Sequence, residues 1–237
     1  MAAAIFAALA RAIPILFTPR IVGLAFLPLV VAAIVWTGIA IAAWHPLVAW
    51  LVSIVGAAPD SLWWSVAANV VAGIGFAVLA VATAFTAIAL LAMPVIVRTV
   101  ATRDFPALAA RRGGTFAGSL GNAMTALAIF VPLWLASLVL LFVPPIYAIA
   151  SLLLNAWLTQ RMFRYDALAE HAERAEIAVL LARSRWRLMG LGLVLAPLSF
   201  VPIFNVLVLP LFAGIAFTEL CLAELASLRS SSPVAAA

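Results

Sequence analysis

The sequence predicts an all-α integral membrane protein with two long transmembrane helices, two re-entrant helical hairpins and a cytoplasmic helical segment. Of its 237 residues, 68% are hydrophobic and 9% are charged. A soluble core of this size could not enclose so much apolar surface. Residues 21–59, 61–97, 113–160 and 188–218 contain no Asp, Glu, Lys or Arg. Gaps of this length are typical of segments that lie in a bilayer.

The arginines predict the orientation. All 13 basic residues are arginine, and they lie before the first gap, between the second and third, between the third and fourth, and after the fourth. If the first two gaps each cross once and the last two enter and return, every arginine lies on one face. The positive-inside rule identifies that face as cytoplasmic. We therefore expect a multi-pass protein of a bacterial-type cell inner membrane, with both termini cytoplasmic and Asp60 outside.

Residues 1–20 are expected to form an interfacial helix rather than a signal peptide. No positive charge precedes their apolar run, and Arg11 interrupts it. A set of apolar residues falls roughly along one helical face and suits the cytoplasmic interface. The set is Ile5, Phe6, Leu9, Ile13 and Leu16. A frayed terminus is the alternative.

The two transmembrane helices are predicted at residues 21–46 and 68–97. Each is long enough to cross at roughly 1.5 Å per residue. Trp44 and Trp63 lie near their outer ends, where an aromatic belt meets the headgroups.

The second hairpin is predicted at residues 188–228, before a disordered tail at 229–237. Its uncharged stretch has 31 residues, roughly 46 Å as a helix, which is too long for one upright crossing and too short for two. Pro202 and Pro210 favour a break, because proline removes a backbone donor and clashes with the preceding turn. A break near Pro202 gives two half-helices of roughly 14 residues each, too short to cross fully.

The first hairpin is predicted at residues 120–160 by the same reasoning. Pro144 and Pro145 lie at the comparable point, with a longer arm before them and a shorter arm after them. By length alone, two full crossings are also possible.

Two charged segments are expected in the cytoplasm. Residues 98–119 form a connection with a flexible Gly-Gly turn at 113–114. Residues 161–187 are expected to form a solvated or interface-lying helix. Glu170 stands four residues before Arg174, the favourable order for a helical ion pair.

Four stretches of the chain carry a family resemblance. Residues 155–171 read Asn-Ala-Trp-Leu-Thr-Gln-Arg-Met-Phe-Arg-Tyr-Asp-Ala-Leu-Ala-Glu-His, and residues 200–210 read Phe-Val-Pro-Ile-Phe-Asn-Val-Leu-Val-Leu-Pro. Together with residues 19–29 and 221–225, they resemble the etoposide-induced-protein family, which includes the CysZ-type sulfate permeases. The resemblance covers nearly the whole chain. It implies two long membrane helices, two hemi-penetrating hairpins and a cytoplasmic helical region.

One departure from the family pattern concerns the substrate. Sulfate-transporting members place Gly-Ile-Arg-Arg after the first proline of this pattern, and the resemblance implies that backbone amides and the arginine pair bind the anion. This chain has Arg20-Ile21-Val22-Gly23 instead, with one displaced arginine and no pair. The resemblance therefore supports the family more firmly than it supports sulfate.

The candidate anion-binding residues are those that could supply positive charge or polar groups at membrane depth. They are Arg20, Gly23, Arg161, Arg164 and Asn205, with hairpin breaks at Pro144, Pro145, Pro202 and Pro210. A helix that restarts after Pro145 or Pro202 would present free N–H groups to an anion, and arginine can bind an oxyanion through two hydrogen bonds. Alternatively, Arg161 and Arg164 anchor the helix to headgroups and pair with Asp166 or Glu170. The amides Asn122, Asn155 and Asn205 could likewise serve packing or conduction.

Three functions are considered. The first is a permease or channel for a small inorganic anion, sulfate-like by family resemblance, in a homo-oligomer embedded in the lipid bilayer. The second is a non-transporting membrane structural or assembly factor. The third, a membrane enzyme, is disfavoured because no catalytic constellation, metal-ligand set or cofactor motif occurs. A net charge of +5 is explained by the cytoplasmic face, so no nucleic-acid partner is expected.

Overall fold

The structure is a computed structural model that describes residues 2–54, 62–111, 113–201, 204 and 208–231, without the side chains of Ala89 and Phe116. The described residues form seven α-helices. They are α1 Ala2–Leu16, α2 Pro19–Ile54, α3 Leu62–Asp104, α4 Phe116–Ser137, α5 Pro144–Ala169, α6 Arg174–Leu195 and α7 Leu209–Ser231. Two short 3₁₀ helices, Leu138–Phe142 and Ala196–Phe200, extend α4 and α6.

Four of these segments are long and apolar enough to cross a membrane. They are α2, α3, α4 with its 3₁₀ extension, and α7. The predicted all-helical membrane architecture is confirmed, and the chain is a multi-pass membrane protein. The depth to which the two hairpins enter the bilayer stays a prediction.

The chain forms two compact units. Residues 23–91 make the smaller one, in which α2 and α3 run antiparallel. Trp36 Nε1 donates to Thr83 Oγ1 at 3.1 Å, and Trp44 Nε1 donates to Asn69 Oδ1 at 2.8 Å. The ring of Phe76 packs against both indoles. Two indole hydrogen bonds therefore fix the register of this helix pair.

The two long helices extend beyond their predicted bounds of 21–46 and 68–97. α2 continues through Pro46 to Ile54, which membrane helices tolerate because neighbouring groups satisfy the freed backbone. α3 continues through Arg98 to Asp104, because arginine and threonine are compatible with a helix that leaves the apolar layer. The expected outer turn around Asp60 lies outside the described residues.

The larger unit contains residues 1–22 and 92–237. Its first helix, α1, packs on α6 and α7. The side chains buried by this packing are Ile5, Ala8, Ala12 and Ile15, whereas Phe6 and Ile13 are exposed. Of the predicted apolar face, Ile5 is therefore buried against protein, whereas Phe6 and Ile13 point away from it. The alternative of a frayed terminus was wrong.

Helix α5 is the central element of this unit, because it packs against α4, α6 and α7. Gly192 of α6 allows a close approach: a Cβ there would lie 2.7 Å from the carbonyl oxygen of Ala156. α6 and α7 have 22 and 23 residues, longer than the predicted half-helices, because each continues into a charged segment. Pro202 lies outside the described residues.

The charged segment 161–187 is not one helix as predicted. α5 ends at Ala169, and α6 begins at Arg174 after a short turn. Glu173 and Glu176 form a reciprocal capping box at the start of α6. The carboxylate of Glu170 lies 3.8 Å from Arg98 Nε. The predicted Glu170–Arg174 pair is not among the described ion pairs.

Two further predictions, about segments that were expected in the cytoplasm, need correction. The Gly-Gly turn is docked rather than loose: the N–H groups of Gly113 and Gly114 donate to the carbonyls of Ala172 and Ala169 at 2.9 and 3.0 Å. α7 continues to Ser231, so the beginning of the predicted 229–237 tail is helical. Residues 232–237 lie outside the described part of the chain.

Candidate anion site

Two half-buried arginines lie one turn apart on α5. Arg161 has its guanidinium carbon 5.4 Å from the centre of the Trp157 ring, and its Nε is buried without a hydrogen-bond partner. Arg164 Nη1 donates to Gln160 Oε1 at 3.3 Å. We refer to Arg161 and Arg164 as the α5 arginine pair. Apart from Arg164 Nη1, no guanidinium donor of this pair has a hydrogen-bond partner among the described residues.

Neither member of the α5 arginine pair forms an ion pair with a carboxylate among the residues that the structure describes. The nearby acids have other partners. Asp166 accepts a hydrogen bond from Ser119 Oγ, and Glu170 faces Arg98. The alternative in which these acids neutralise the α5 arginine pair is therefore not what the structure shows.

The electrostatics of this region follow from two arginines that have no described carboxylate partner. Burial, with a smaller effect from the positive charge of Arg161, lowers the pKa of Arg164 from its ordinary value. Burial also raises the pKa of Asp166, against the opposing effect of the Ser119 hydrogen bond. A partly desolvated positive charge without a counter-charge is unfavourable, and an anion would relieve it.

Helix α4 holds this part of α5 in place. Asn122 Nδ2 donates to the carbonyl of Arg161 at 2.9 Å. Thr115 caps α4 by accepting from the N–H of Gly118 at 3.1 Å. Gly118 lies so close to the Tyr165 ring that a side chain there would collide with it. Asn122 therefore has a packing role here.

The predicted break at Pro144 and Pro145 lies at the other end of α5. Arg161 follows Pro144 by 17 residues, about 25 Å along a helix. The two prolines have no N–H, and the next two N–H groups, of Ile146 and Tyr147, donate to the carbonyl of Val143 at 3.0 and 3.1 Å. The expected free amides are thus absent from the described first turn of α5. This end of the helix offers no N–H to an anion.

At the second predicted break, Pro202 and Asn205 lie outside the described residues. Pro210 lines a cavity of about 150 Å³ together with Asn155 and Thr159 of α5. Thr159 and Arg161 are two positions apart, which places them roughly 200° apart around the helix. The cavity and the α5 arginine pair therefore lie on different sides of α5.

The first turn of α2 contains the remaining candidates. Arg20 is exposed, and no described carboxylate pairs with it. The amides of Arg20 and Ile21 make no hydrogen bond to another described residue, as expected for the start of a helix. Gly23 belongs to the unit of residues 23–91, and a Cβ there would meet no atom within 4 Å. No steric reason requires glycine at that position.

Two buried acids of α7 escaped the sequence analysis. Glu224 accepts hydrogen bonds from Ser184 Oγ at 2.8 Å and from Arg187. Neither carboxylate oxygen of Glu219 has a hydrogen-bond partner within the described ranges. Its nearest cation is Arg11 of α1, with Nη1 at 3.8 Å, and the acidic Asp104 of α3 also faces it. The sequence analysis missed Glu219 and Glu224 because they follow the uncharged stretch at 188–218. Two acids in a largely apolar helix were nevertheless a signal of buried polar positions.

Within the described ranges, no group of three His, Cys, Asp or Glu side chains could hold a metal ion. The fold and the α5 arginine pair thus define a multi-pass helical membrane protein with unpaired positive charge in its larger unit. The family described as Sulfate transporter CysZ/Etoposide-induced protein 2.4 matches residues 8–210, and the chain belongs to this family. The family is associated with transport rather than catalysis. No curated protein and no solved structure matches the chain.

Proposed function

We propose that the protein is a permease or channel for a small inorganic anion, with sulfate as the family's precedent, in a bacterial-type inner membrane. The observation that supports this most is the α5 arginine pair, half-buried and without a described carboxylate partner. Structural arginines at such depth are usually paired with acids. Two arginines without acidic partners, such as the α5 arginine pair, are better suited to binding an exchangeable anion.

The chemistry of guanidinium fits this role. Arginine stays charged at physiological pH and presents planar donors that match an oxyanion. Trp157 supports the cation of Arg161 from one face, which leaves the in-plane donors for a ligand. Arg164 lies one helical turn further on, so the two side chains can contribute to one site. Arg20, whose guanidinium also has no described partner, is proposed to attract anions on the cytoplasmic side.

The proposed topology places every arginine in the cytoplasm and both hairpins in the bilayer as re-entrant elements. The tip of the first hairpin suits hydrocarbon, because its two prolines lack N–H and the next two N–H groups are satisfied. Phe142 at this tip is 90% exposed. We propose that lipid and a second copy of the chain cover such surfaces in a homo-oligomer.

A structural or assembly factor is the second candidate. The observation in its favour is the extensive apolar surface that the larger unit leaves exposed, including Phe142, Val139 and Ile149. Such surface could pack against other membrane proteins. The absence of the family's arginine pair after Pro19 also fits a member that does not transport sulfate.

Anion uptake by proteoliposomes separates the two candidates. Purified protein is reconstituted, and accumulation of labelled sulfate, phosphate and chloride is compared with that in protein-free vesicles. A permease gives time-dependent uptake of at least one anion, which saturates or is competed by its unlabelled form. Uptake equal to that of protein-free vesicles for all three anions, with correctly folded protein, would favour the assembly factor.

A further inference from the structure

The cavity on the other side of α5 contains polar groups with unused hydrogen-bonding capacity. It measures about 150 Å³ and is bounded by α5, the end of α6 with its 3₁₀ extension, and the start of α7. Its polar lining consists of Asn155, Thr159 and Ser199. Its apolar lining includes Phe163, Leu195 and Pro210.

Thr159 differs from several helical threonines of this chain in the hydrogen bond of its hydroxyl. Thr125 and Thr218 each donate to the carbonyl four residues earlier, both at 2.7 Å. The Thr159 hydroxyl makes no hydrogen bond with any described residue, although the same carbonyl position was available to it. A free hydroxyl in a cavity wall needs an additional partner, because leaving it unsatisfied is costly.

The other two polar groups define the kind of partner. Asn155 Nδ2 donates one N–H to the Ser151 carbonyl at 2.8 Å, which leaves its second N–H and its Oδ1 acceptor without a described partner. Ser199 Oγ donates to the Ala196 carbonyl at 2.6 Å, so its oxygen can still accept hydrogen bonds through its lone pairs. The cavity therefore offers more acceptors than donors, and no cation is among its described lining residues. Such a lining disfavours an anion and suits a small neutral molecule that both donates and accepts.

We propose that this cavity is a water-binding site, in which ordered water bridges Thr159, Asn155 and Ser199. Water occupies about 30 Å³ per molecule in the liquid, so the volume holds about five. The site lies beside Leu209 and Pro210, where α7 begins. Bound water there hydrates polar groups that the surrounding apolar helices cannot satisfy. The proposal does not depend on anion transport.

Radiolytic hydroxyl-radical labelling tests it, since radicals formed from bound water oxidise the side chains beside them. Phe163 lines the cavity, whereas Phe217 stacks on it with ring centres 6.0 Å apart and is fully buried. In nanodiscs, Phe163 should be oxidised at least threefold faster than Phe217. Thr159→Val, which keeps the side-chain shape, and Ala213→Leu, which fills the cavity, should each lower the Phe163 rate at least threefold.

Thr125→Val is the matched control, because Thr125 lies on α4 and does not line the cavity. It should leave the Phe163 rate unchanged, and helix content and elution volume should be the same for all variants. A Phe163 rate no higher than that of Phe217 would overturn the proposal. So would a Phe163 rate that neither Thr159→Val nor Ala213→Leu lowers. If Ala213→Leu fails to fold, Thr159→Val alone decides.

Discussion

Glu219 and Glu224 lie on the same buried helix, five residues apart, yet of the two only Glu224 accepts hydrogen bonds from described donors. Ser184 and Arg187 of α6 donate to Glu224, so this carboxylate joins α6 to α7. Glu219, 1% exposed, has Arg11 at 3.8 Å, and that arginine side chain is 54% exposed. The acidic side chain of Asp104 on α3 also faces Glu219. The two acids therefore contribute to stability in opposite ways.

Replacing each acid by its amide distinguishes these roles. Glu224→Gln leaves Arg187 without its anionic partner and should lower the free energy of unfolding by about 1–3 kcal/mol. Glu219→Gln removes an unsatisfied carboxylate and should change stability by less than about 1 kcal/mol or increase it. Thermal unfolding in detergent measures both. A larger loss for Glu219→Gln than for Glu224→Gln would contradict this interpretation.

The docked Gly-Gly turn is predicted to be intolerant of side chains. A Cβ on Gly114 would lie 2.5 Å from the Cβ of Ala169, so Gly114→Ala should destabilise the protein by about 1–3 kcal/mol through overpacking. Gly121→Ala on α4 is the control, because nothing lies within 4 Å of its Cβ position. It should be neutral or stabilising by up to about 1 kcal/mol. Equal melting temperatures for both variants would count against the docking.

Acid should weaken the junction of α6 and α7. Two hydrogen bonds from Arg229, both 2.9 Å, hold the pKa of Glu176 below its ordinary 4.5. Because the folded-state pKa is the lower one, this stabilisation is present above pH 4.5 and is lost as the pH falls through the folded value. Glu176→Gln should therefore lower the melting temperature at pH 7 and show less difference from the parent at low pH. A pH-independent difference would disagree with this linkage.

The topology can be tested with the natural cysteine in place, since Cys221 is buried. Ala175→Cys, at an exposed position on α6, should react with an impermeant thiol reagent only after the cytoplasmic face is opened. Leu62→Cys, 72% exposed at the start of α3, should react in intact cells. Labelling of Ala175→Cys from outside would contradict the proposed orientation, and the unsubstituted chain supplies the background.

Much of the helical architecture could be predicted from the sequence, because charge gaps and proline positions are local signals. The start of α5 at Pro144 is such a case. The turn before Arg174 was missed because residues 170–173 contain no glycine or proline. Its cap is a glutamate pair, Glu173 and Glu176, which is a weaker signal than a serine or threonine cap.

The candidate site was predictable only in its residue types. Arg161 and Arg164 could be selected because they follow an apolar block. Whether they were neutralised depended on Ser119 and Arg98, which are distant in sequence and bind the nearby acids instead. The free hydroxyl of Thr159 likewise becomes visible only when the neighbouring helices are in place. Partner choice over such separations is a tertiary property that local patterns do not contain.

The central claim is that the α5 arginine pair binds the transported anion. The most direct measurement compares anion flux in proteoliposomes for the double variant Arg161→Gln with Arg164→Gln and the double variant Arg183→Gln with Arg185→Gln. Both remove two positive charges, and the second pair is exposed on α6. We predict a loss of at least about tenfold for the first, which corresponds to about 1.4 kcal/mol, and less than about twofold for the second. Equal flux from the two double variants, in a preparation whose parent conducts, would contradict the account.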